Sequence, residues 1–422
     1  MQKLKHFLLN SKNIDKSSFI WNMIGSMLMA FQSVIMLMII TRTLDLYSAG
    51  VFTLAYANSN LFLNIGKYGM HNFQVSDMKK QFNFREYLSS RLITTLFMLL
   101  FSIIYIVISQ QKNHYSSNKT YIILWMCIFK LVDSIEDVFL ANYQHENHLD
   151  VSGKIMALRM ASTIIVFGVC VIIFHDMLFA LILSTIFTAC ILALFLCLVH
   201  PSFHKKQENI QPHNLRILLT SCFPLFLAGF LSFYIGNAPK YAIDSQLNDE
   251  LQACYGFIAM PVFVIGLLNN FIFNPMIAKM SLMWKDDRRK EFFHLFRIQI
   301  LIIIAITFIC ELGAFLLGIP ILSLLYNTNL KPYKTELLIL LLGGGFLALS
   351  GLFANIMTIL RIQNQQAIGY GIVSIFAYVL SPLFVSKYSI LGASLLYLFL
   401  MVLLCVIFGL TLCLHKKHTP QE

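Results

Sequence analysis

Polar residues within an otherwise apolar stretch are the first candidates for chemistry. Lys130, Asp133, Asp137 and Gln144 fall on one narrow face of a helix at 100° per residue, whereas Glu136 lies off to its side. Lipid makes such groups costly, so this stripe must face protein or water. It predicts either a cavity wall that contacts a polar substrate or relays protons, or an internal salt bridge between Lys130 and Asp133.

Two further sets of polar residues are candidates for binding. Arg42 and Lys240 each end the first apolar segment of one half of the chain. They are positioned either to attract a phosphate or an acidic sugar, or simply to reach the membrane interface. Asn60 and Asn64 share a helix face, where their amides would hydrogen-bond sugar hydroxyls or hold neighbouring helices together.

Other conspicuous residues have a structural interpretation. Arg159 and Arg297 each lie within a turn of the cytoplasmic end of an apolar segment, so their side chains are expected to snorkel to the interface. The consecutive glycines at 343–345, together with Gly351, are expected to allow close helix packing rather than motion.

The elements that must position these side chains are membrane-spanning helices. The chain of 422 residues is 58% hydrophobic and only 12% charged, with a mean hydropathy of +0.73. Its apolar runs are continuous rather than alternating, which favours helices over a membrane β-barrel. An all-α integral membrane protein with about 12 transmembrane helices is therefore predicted. The predicted spans are 19–40, 46–66, 87–109, 121–140, 156–174, 177–199, 217–238, 251–275, 294–318, 336–358, 367–385 and 389–413.

The distribution of basic residues predicts the orientation. Most of the 31 lysines and arginines fall in alternate loops, which the positive-inside rule assigns to the cytoplasm together with both termini. The polar loop 200–216 then divides the chain into an N-terminal six-helix lobe, 1–199, and a C-terminal six-helix lobe, 217–422. Because six is even, the two lobes would enter the membrane in the same orientation, as a parallel repeat.

Several classes of function find no support in the sequence. The net charge of +11 has no basic water-soluble domain to carry it, so nucleic acid is not an expected partner. The nine cysteines form no C-x-x-C pattern, and neither a metal nor another cofactor is expected. A P-loop, H-E-x-x-H and G-x-S-x-G are all absent, which excludes ATP hydrolysis by this chain alone.

Two helix junctions resemble a known family. The segment 41–52, TRTLDLYSAGVF, is similar to the junction between the first two helices of the Wzx-type polysaccharide flippases, members of the multidrug/oligosaccharidyl-lipid/polysaccharide exporter superfamily. The segment from Lys240 to Phe257, followed by Pro275, resembles the matching junction in the second half. The resemblance implies two six-helix lobes around a central cavity lined by basic residues, for which Arg42, Lys130 and Lys240 are the candidates.

The same resemblance implies the function. It predicts a non-enzymatic flippase that moves undecaprenyl-diphosphate-linked oligosaccharide, a precursor of O-antigen, capsule or exopolysaccharide, from the inner to the outer leaflet of the bacterial cytoplasmic membrane. Its partners would be this lipid-linked oligosaccharide, the bilayer, and a polysaccharide polymerase with its chain-length machinery. The acidic stripe is not a hallmark of that family; on the residues alone, Asp133 and Asp137 would serve a proton relay if transport is proton-coupled.

Alternative functions remain at this stage. A multidrug cation antiporter of the same superfamily should favour a carboxylate in the first or seventh span, and neither 19–40 nor 217–238 contains one. A lipid II flippase usually has two additional C-terminal spans. A membrane polysaccharide polymerase would need a large outer loop that carries its active site. The longest predicted outer loops here, such as 319–335, reach only about 17 residues.

Overall fold

The computed structural model describes residues 1–77, 80–203 and 210–418, except for the side chains of 267–275, 278 and 415–418. Within these residues the chain forms α-helices joined by short turns, without a β-strand. This agrees with the all-α prediction, because a backbone in lipid must satisfy its hydrogen bonds within each segment.

The first half contains six long helices and two short ones. The short helices are α1 (Gln2–Leu9) and α4 (Met70–Ser76). The long helices are α2 (Ile14–Thr43), α3 (Leu46–Lys67), α5 (Phe84–Asn113), α6 (Ser117–His145), α7 (Leu149–Phe174) and α8 (Met177–Val199).

The second half also provides six long helical segments. One π-helical turn joins α11 to α12, and the backbone of Ser389 (φ 53°, ψ −132°) divides α14 into two helices. The helices are α9 (Pro212–Gln246), α10 (Asp249–Lys285), α11 (Arg289–Gly313), α12 (Ile319–Tyr326), α13 (Lys334–Ile359) and α14 (Gln363–His418).

Each of the twelve predicted spans coincides with one of these long helical segments. Eight described helices are long and apolar enough to cross a membrane by length and composition alone, and the bent α14 counts once among them. The helices α3, α6 and α10 are not among the eight. Most residues of α3 and α6 are buried against neighbouring helices, so their polar side chains meet protein rather than lipid.

Both junctions singled out in the sequence begin the next helix with the same kind of cap. The Asp45 side chain accepts a hydrogen bond from the Ser48 backbone N–H at the start of α3. The Asn248 side chain accepts one from the Leu251 backbone N–H at the start of α10. Such caps satisfy N–H groups that have no partner in the first helical turn.

The chain forms two compact units, Met1–Phe230 and Leu231–Glu422. The boundary lies inside α9, beyond the loop 200–216 at which the sequence suggests the division. The start of α9 is held by the first unit, since buried Glu86 of α5 accepts a hydrogen bond from the Asn214 side chain at 2.8 Å. The division into lobes at 217 stays a prediction.

Candidate functional site

The first unit contains a polar cavity of about 480 Å³. Its wall combines charged groups, amides and hydroxyls with apolar side chains. It is lined by Asn22, Ser26, Met29, Asn64, Lys67, Gly69, His71, Asn72, Asp133, Glu136, Asp137, Leu140, Gln144, Leu149, Ser152, Met156, Met160, Leu225, Phe226 and Gly229. Three members of the stripe predicted on α6, namely Asp133, Asp137 and Gln144, therefore face a cavity.

Arg159 of α7 holds two of the carboxylates that line this cavity. Its guanidinium donates to Glu136 Oε1 at 2.7 Å and to Asp133 Oδ1 at 2.7 Å. It also donates to the Thr188 hydroxyl of α8 at 2.9 Å. The arginine is fully buried, so it crosses from one helix to two others instead of reaching the interface.

The snorkelling expected of Arg159 is therefore wrong. A helix-end position is a poor guide here, because α7 begins at Leu149 and places Arg159 well inside the bundle. Glu136, set aside as lying beside the stripe, is also a member of the cluster. The sequence carried one indication of this, since two carboxylates in a membrane helix must be neutralised by cations from elsewhere.

Lys130 forms the internal salt bridge that the sequence offered as an alternative. Its Nζ lies 2.8 Å from Asp133 Oδ2 and donates to Gln32 Oε1 of α2 at 2.9 Å. The ammonium also lies 4.8 Å from the centre of the Tyr56 ring. With 2% of its surface exposed, Lys130 is engaged within the protein and is not among the described residues that line the cavity.

Asp137 is the second centre of charge. Its Oδ2 accepts a hydrogen bond from Arg91 of α5 at 2.8 Å, and Arg91 also donates to the Gly66 carbonyl at 2.9 Å. Its Oδ1 lies 3.2 Å from Lys67 Nζ and 3.2 Å from His71 Nδ1. These three side chains come from three different helices, and none of them was predicted to pair with the stripe.

Gln144 ends the stripe as predicted. Its Oε1 lies 3.3 Å from His71 Nε2, so the amide and Asp137 contact opposite nitrogens of the same imidazole. The polar face of α6 thus runs continuously from the Arg159 cluster to α4.

The remaining predicted binding residues lie in several places. Asn64 lines the cavity, and its Nδ2 donates to the Asn60 carbonyl at 2.8 Å. The Asn60 side chain donates in turn to the Tyr56 carbonyl at 2.8 Å. Arg42 is exposed in the last turn of α2, within the first unit. Lys240 is half-buried in the part of α9 that belongs to the second unit.

The charges at the cavity do not cancel. Four cationic side chains, those of Lys67, Arg91, Lys130 and Arg159, surround the three carboxylates of Asp133, Glu136 and Asp137. One positive charge remains before any proton on His71 is counted. The cavity can therefore accept an anionic group without leaving a carboxylate unneutralised.

Comparison with known proteins identifies the architecture. No protein-family model matches the sequence. The capsular polysaccharide biosynthesis protein CapF of Staphylococcus aureus is 24% identical over 319 residues, which cover 74% of this chain and 77% of that protein.

Solved transporter structures share the fold over nearly the whole chain. The lipid II flippase MurJ, in an inward closed conformation, superposes with a TM-score of 0.69 at 13% identity, covering 95% of this chain and 87% of MurJ. An inward-facing multidrug resistance MATE family transporter of the MOP superfamily gives a TM-score of 0.67 at 11% identity, covering 93% and 96%.

A third structure, a MOP superfamily transporter from Pyrococcus furiosus, gives a TM-score of 0.56 at 12% identity and covers 98% of this chain and 97% of the transporter. The predicted fold class and the family resemblance are thus confirmed at the level of architecture. This multi-pass membrane protein has the fold of the MOP superfamily transporters.

Proposed function

We propose that this protein translocates undecaprenyl-diphosphate-linked oligosaccharide from the inner to the outer leaflet of the bacterial cytoplasmic membrane. The observation that carries the proposal is the polar cavity of the first unit, whose three carboxylates are more than neutralised by four cationic side chains, in a chain with this fold. A lipid-linked oligosaccharide offers phosphates to the cations and hydroxyls to the amides, while its polyprenyl tail stays in the bilayer.

The relatives support a lipid-linked sugar as substrate. MurJ is named as a flippase of lipid II, and CapF is named as a capsular polysaccharide biosynthesis protein. The substrate is anionic, so an inside-negative membrane potential favours its outward movement by ~2.3 kcal/mol per charge per 100 mV. On this proposal the termini are cytoplasmic and the exported units supply a polysaccharide polymerase.

Multidrug cation export is the second candidate, because MATE transporters share the fold. The cavity chemistry favours the first proposal. A transported cation needs a carboxylate that is available to it, whereas Asp133, Glu136 and Asp137 are each paired with at least one cationic side chain. An exported cation would have to compete with Arg159 for Asp133 and Glu136, or with Arg91 and Lys67 for Asp137.

The experiment is deletion of the gene in its native host, in a background without a redundant flippase. The membrane leaflet that holds undecaprenyl-linked repeat units is then determined. We expect these units to accumulate on the cytoplasmic face and surface polysaccharide to be lost, and the wild-type gene should restore both. Normal sidedness in the deletion strain would contradict the proposal.

The same strain separates the alternatives. Single repeat units accumulating on the outer face would indicate a polymerase. Unchanged glycans with altered drug susceptibility would indicate the antiporter, and arrested peptidoglycan precursors would indicate a lipid II flippase. Each result would replace the proposed function with a specific competitor.

Complementation also tests the two cations proposed from the sequence. Arg42→Gln and Lys240→Gln should each lower surface polysaccharide severalfold if they attract the phosphates at the outer side. Lys112→Gln and Lys331→Gln are matched controls, because both lysines are exposed near ends of other helices. Equal effects in all four variants would show a general charge effect and remove Arg42 and Lys240 from the binding site.

A further inference from the structure

One lysine and one histidine at the cavity are more accessible than the buried cations Arg91, Lys130 and Arg159. The side chains of Lys67 and His71 are 34% and 32% exposed, and both lie 3.2 Å from the same oxygen, Oδ1 of Asp137. Lys67 ends α3, and His71 lies in the first turn of α4. An anion that enters the cavity therefore reaches these two groups without moving a helix.

Asp137 does not depend on these two partners for its neutralisation. Its other oxygen, Oδ2, accepts a hydrogen bond from Arg91, whose side chain is fully buried and is also anchored to the Gly66 carbonyl. If Lys67 and His71 turned toward a ligand, the Arg91–Asp137 pair would remain. A buried carboxylate that keeps one paired cation avoids the penalty of an isolated charge.

The other cations at the cavity are committed. Arg159 is enclosed by Asp133, Glu136 and Thr188, and Lys130 by Asp133 and Gln32. Releasing Arg159 would leave buried Glu136 without its paired cation. Lys130, with 2% of its surface exposed, does not line the cavity. The surplus positive charge of the cavity is therefore available at Lys67 and His71 and not deeper in the bundle.

The surroundings of these two groups suit a phosphate that carries a sugar. Gln144 contacts the far nitrogen of His71, and Asn64 and Asn72 line the same cavity with further amides. Leu225 and Phe226 are among the apolar side chains that line this cavity. The ring of Phe226 stacks on that of Tyr68, the residue next to Lys67. A volume of about 480 Å³ lies within the range of small-molecule sites, roughly 300–1,000 Å³.

We propose that Lys67 and His71 bind the diphosphate of the lipid-linked substrate by exchanging Asp137 for a phosphate oxygen. This inference rests on the proposed function. A diphosphate carries more charge and more acceptor oxygens than one carboxylate, so it competes effectively for the ammonium and the imidazole N–H. Asp137 then holds both side chains in place when the cavity is empty and accepts them again when the substrate leaves. Asp137 is on this view a positioning residue and not a phosphate ligand.

The test measures binding of a fluorescent undecaprenyl-diphosphate oligosaccharide to the full-length protein in nanodiscs. Lys67→Gln and His71→Gln should each weaken binding about tenfold, and the double variant about a hundredfold, as expected for charge-assisted hydrogen bonds. Lys67→Arg should retain most of the affinity. Lys80→Gln is the matched control, since Lys80 also pairs with a carboxylate, Glu146, but does not line this cavity.

A measurement on the unaltered protein keeps the test informative if the glutamine variants fold poorly. Inorganic pyrophosphate should compete with the labelled substrate, and the competition should weaken as salt is raised. The same oligosaccharide on a phosphate-free polyprenol should not compete. Absence of competition by pyrophosphate would overturn the proposal.

The outcomes separate this inference from the proposed function. If the double variant binds and flips the substrate as the unaltered protein does, the inference is wrong and the flippase proposal stands. If the unaltered protein neither binds nor flips it, both fail. If the double variant loses affinity only for phosphatidylglycerol, the site holds a phospholipid headgroup and the inference is overturned.

Discussion

The two units of this protein bury different kinds of side chain. The first buries ten charged residues, namely Glu86, Arg91, Lys119, Lys130, Asp133, Glu136, Asp137, Asp150, Lys154 and Arg159. Among the side chains described in the second unit, the buried polar groups are the neutral Gln252, Gln299, Ser350, Ser374, Ser381 and Ser394. In the described part of this unit, ion pairs such as that of Arg288 with Glu291 join exposed side chains.

In the second unit, helices pack closely against one another at glycines. Three consecutive glycines of α13 approach three different helices. A Cβ added at 343 would lie 2.6 Å from the Tyr397 ring, one at 344 would lie 2.9 Å from Val262, and one at 345 would lie 2.6 Å from Thr307. The close packing expected from the glycines at 343–345 is confirmed, whereas the same expectation for Gly351 is wrong, because nothing lies within 4 Å of a Cβ added there.

The contrast predicts how strongly a substitution in each unit lowers the free energy of unfolding. Buried ion pairs give little net stability over apolar packing, but removing one partner is severe because the other charge is left unpaired. Glycine contacts carry no charge, so an added methyl group costs only what local repacking requires. Three experiments, in order of expected effect, test this difference.

The largest effect is expected from Arg159→Ala. This change leaves Asp133 and Glu136 buried without their shared cation, and the expected loss is about 3–5 kcal/mol of unfolding free energy. The matched control is Arg297→Ala, because the sequence treats the two arginines alike, whereas Arg297 is exposed. Denaturant unfolding of the purified protein in detergent measures both, and the control should change by less than about 0.5 kcal/mol.

Equal losses of unfolding free energy in the two arginine variants would contradict the proposed contrast between the two units. That result would mean that the ion cluster is not more sensitive than an exposed helix-end charge. It would also remove the reason for regarding Arg159 as unavailable to a substrate.

An intermediate effect is expected from Gly345→Ala in the second unit. The new methyl group meets Thr307 of α11, and overpacking of this kind costs about 1–3 kcal/mol. Gly351→Ala on the same helix is the control, since nothing lies within 4 Å of a Cβ placed there. The control should be neutral or slightly stabilising, because alanine favours helix over glycine. Thermal unfolding midpoints of the two variants measure the difference, and a control as destabilised as Gly345→Ala would show that α13 does not depend on these contacts.

The smallest effect concerns a feature that the two units share. Asp45→Ala and Asn248→Ala each remove the cap at the start of the second long helix of one half, which typically costs about 1 kcal/mol. We expect losses of similar size, measured by the same unfolding assay. A loss in one variant alone would weaken the view that the two junctions are equivalent.

Much of the fold follows from sequence. A run of about 20 apolar residues has few structural options in lipid, so the twelve spans could be placed without any knowledge of their neighbours. The polar face of α6 was equally predictable, because helical periodicity fixes which side chains share a face. Because charge is costly in lipid, that face had to meet protein or water, but the sequence left open whether it would line a cavity or form an internal salt bridge.

The partners of that face were not predictable in the same way. Arg159 is 26 residues from Asp133 along the chain, and Arg91 is 46 residues from Asp137. In the sequence, Lys67, Arg91 and Arg159 are basic residues near predicted helix ends, of the kind that the positive-inside rule uses to predict orientation. They could not be paired with the stripe, because periodicity within one helix does not indicate which other helix lies opposite. The approach of α5 and α7 to α6 turns two of these charges into members of the site.

The sequence by itself determined the twelve spans, the polar face of one helix and the resemblance to polysaccharide flippases, because each depends on local composition and spacing. Only the tertiary structure decided which cations neutralise Asp133, Glu136 and Asp137, and which remain accessible. The physical reason is that charge pairing in a low-dielectric interior is set by distances between helices, and these distances arise only when the helices pack.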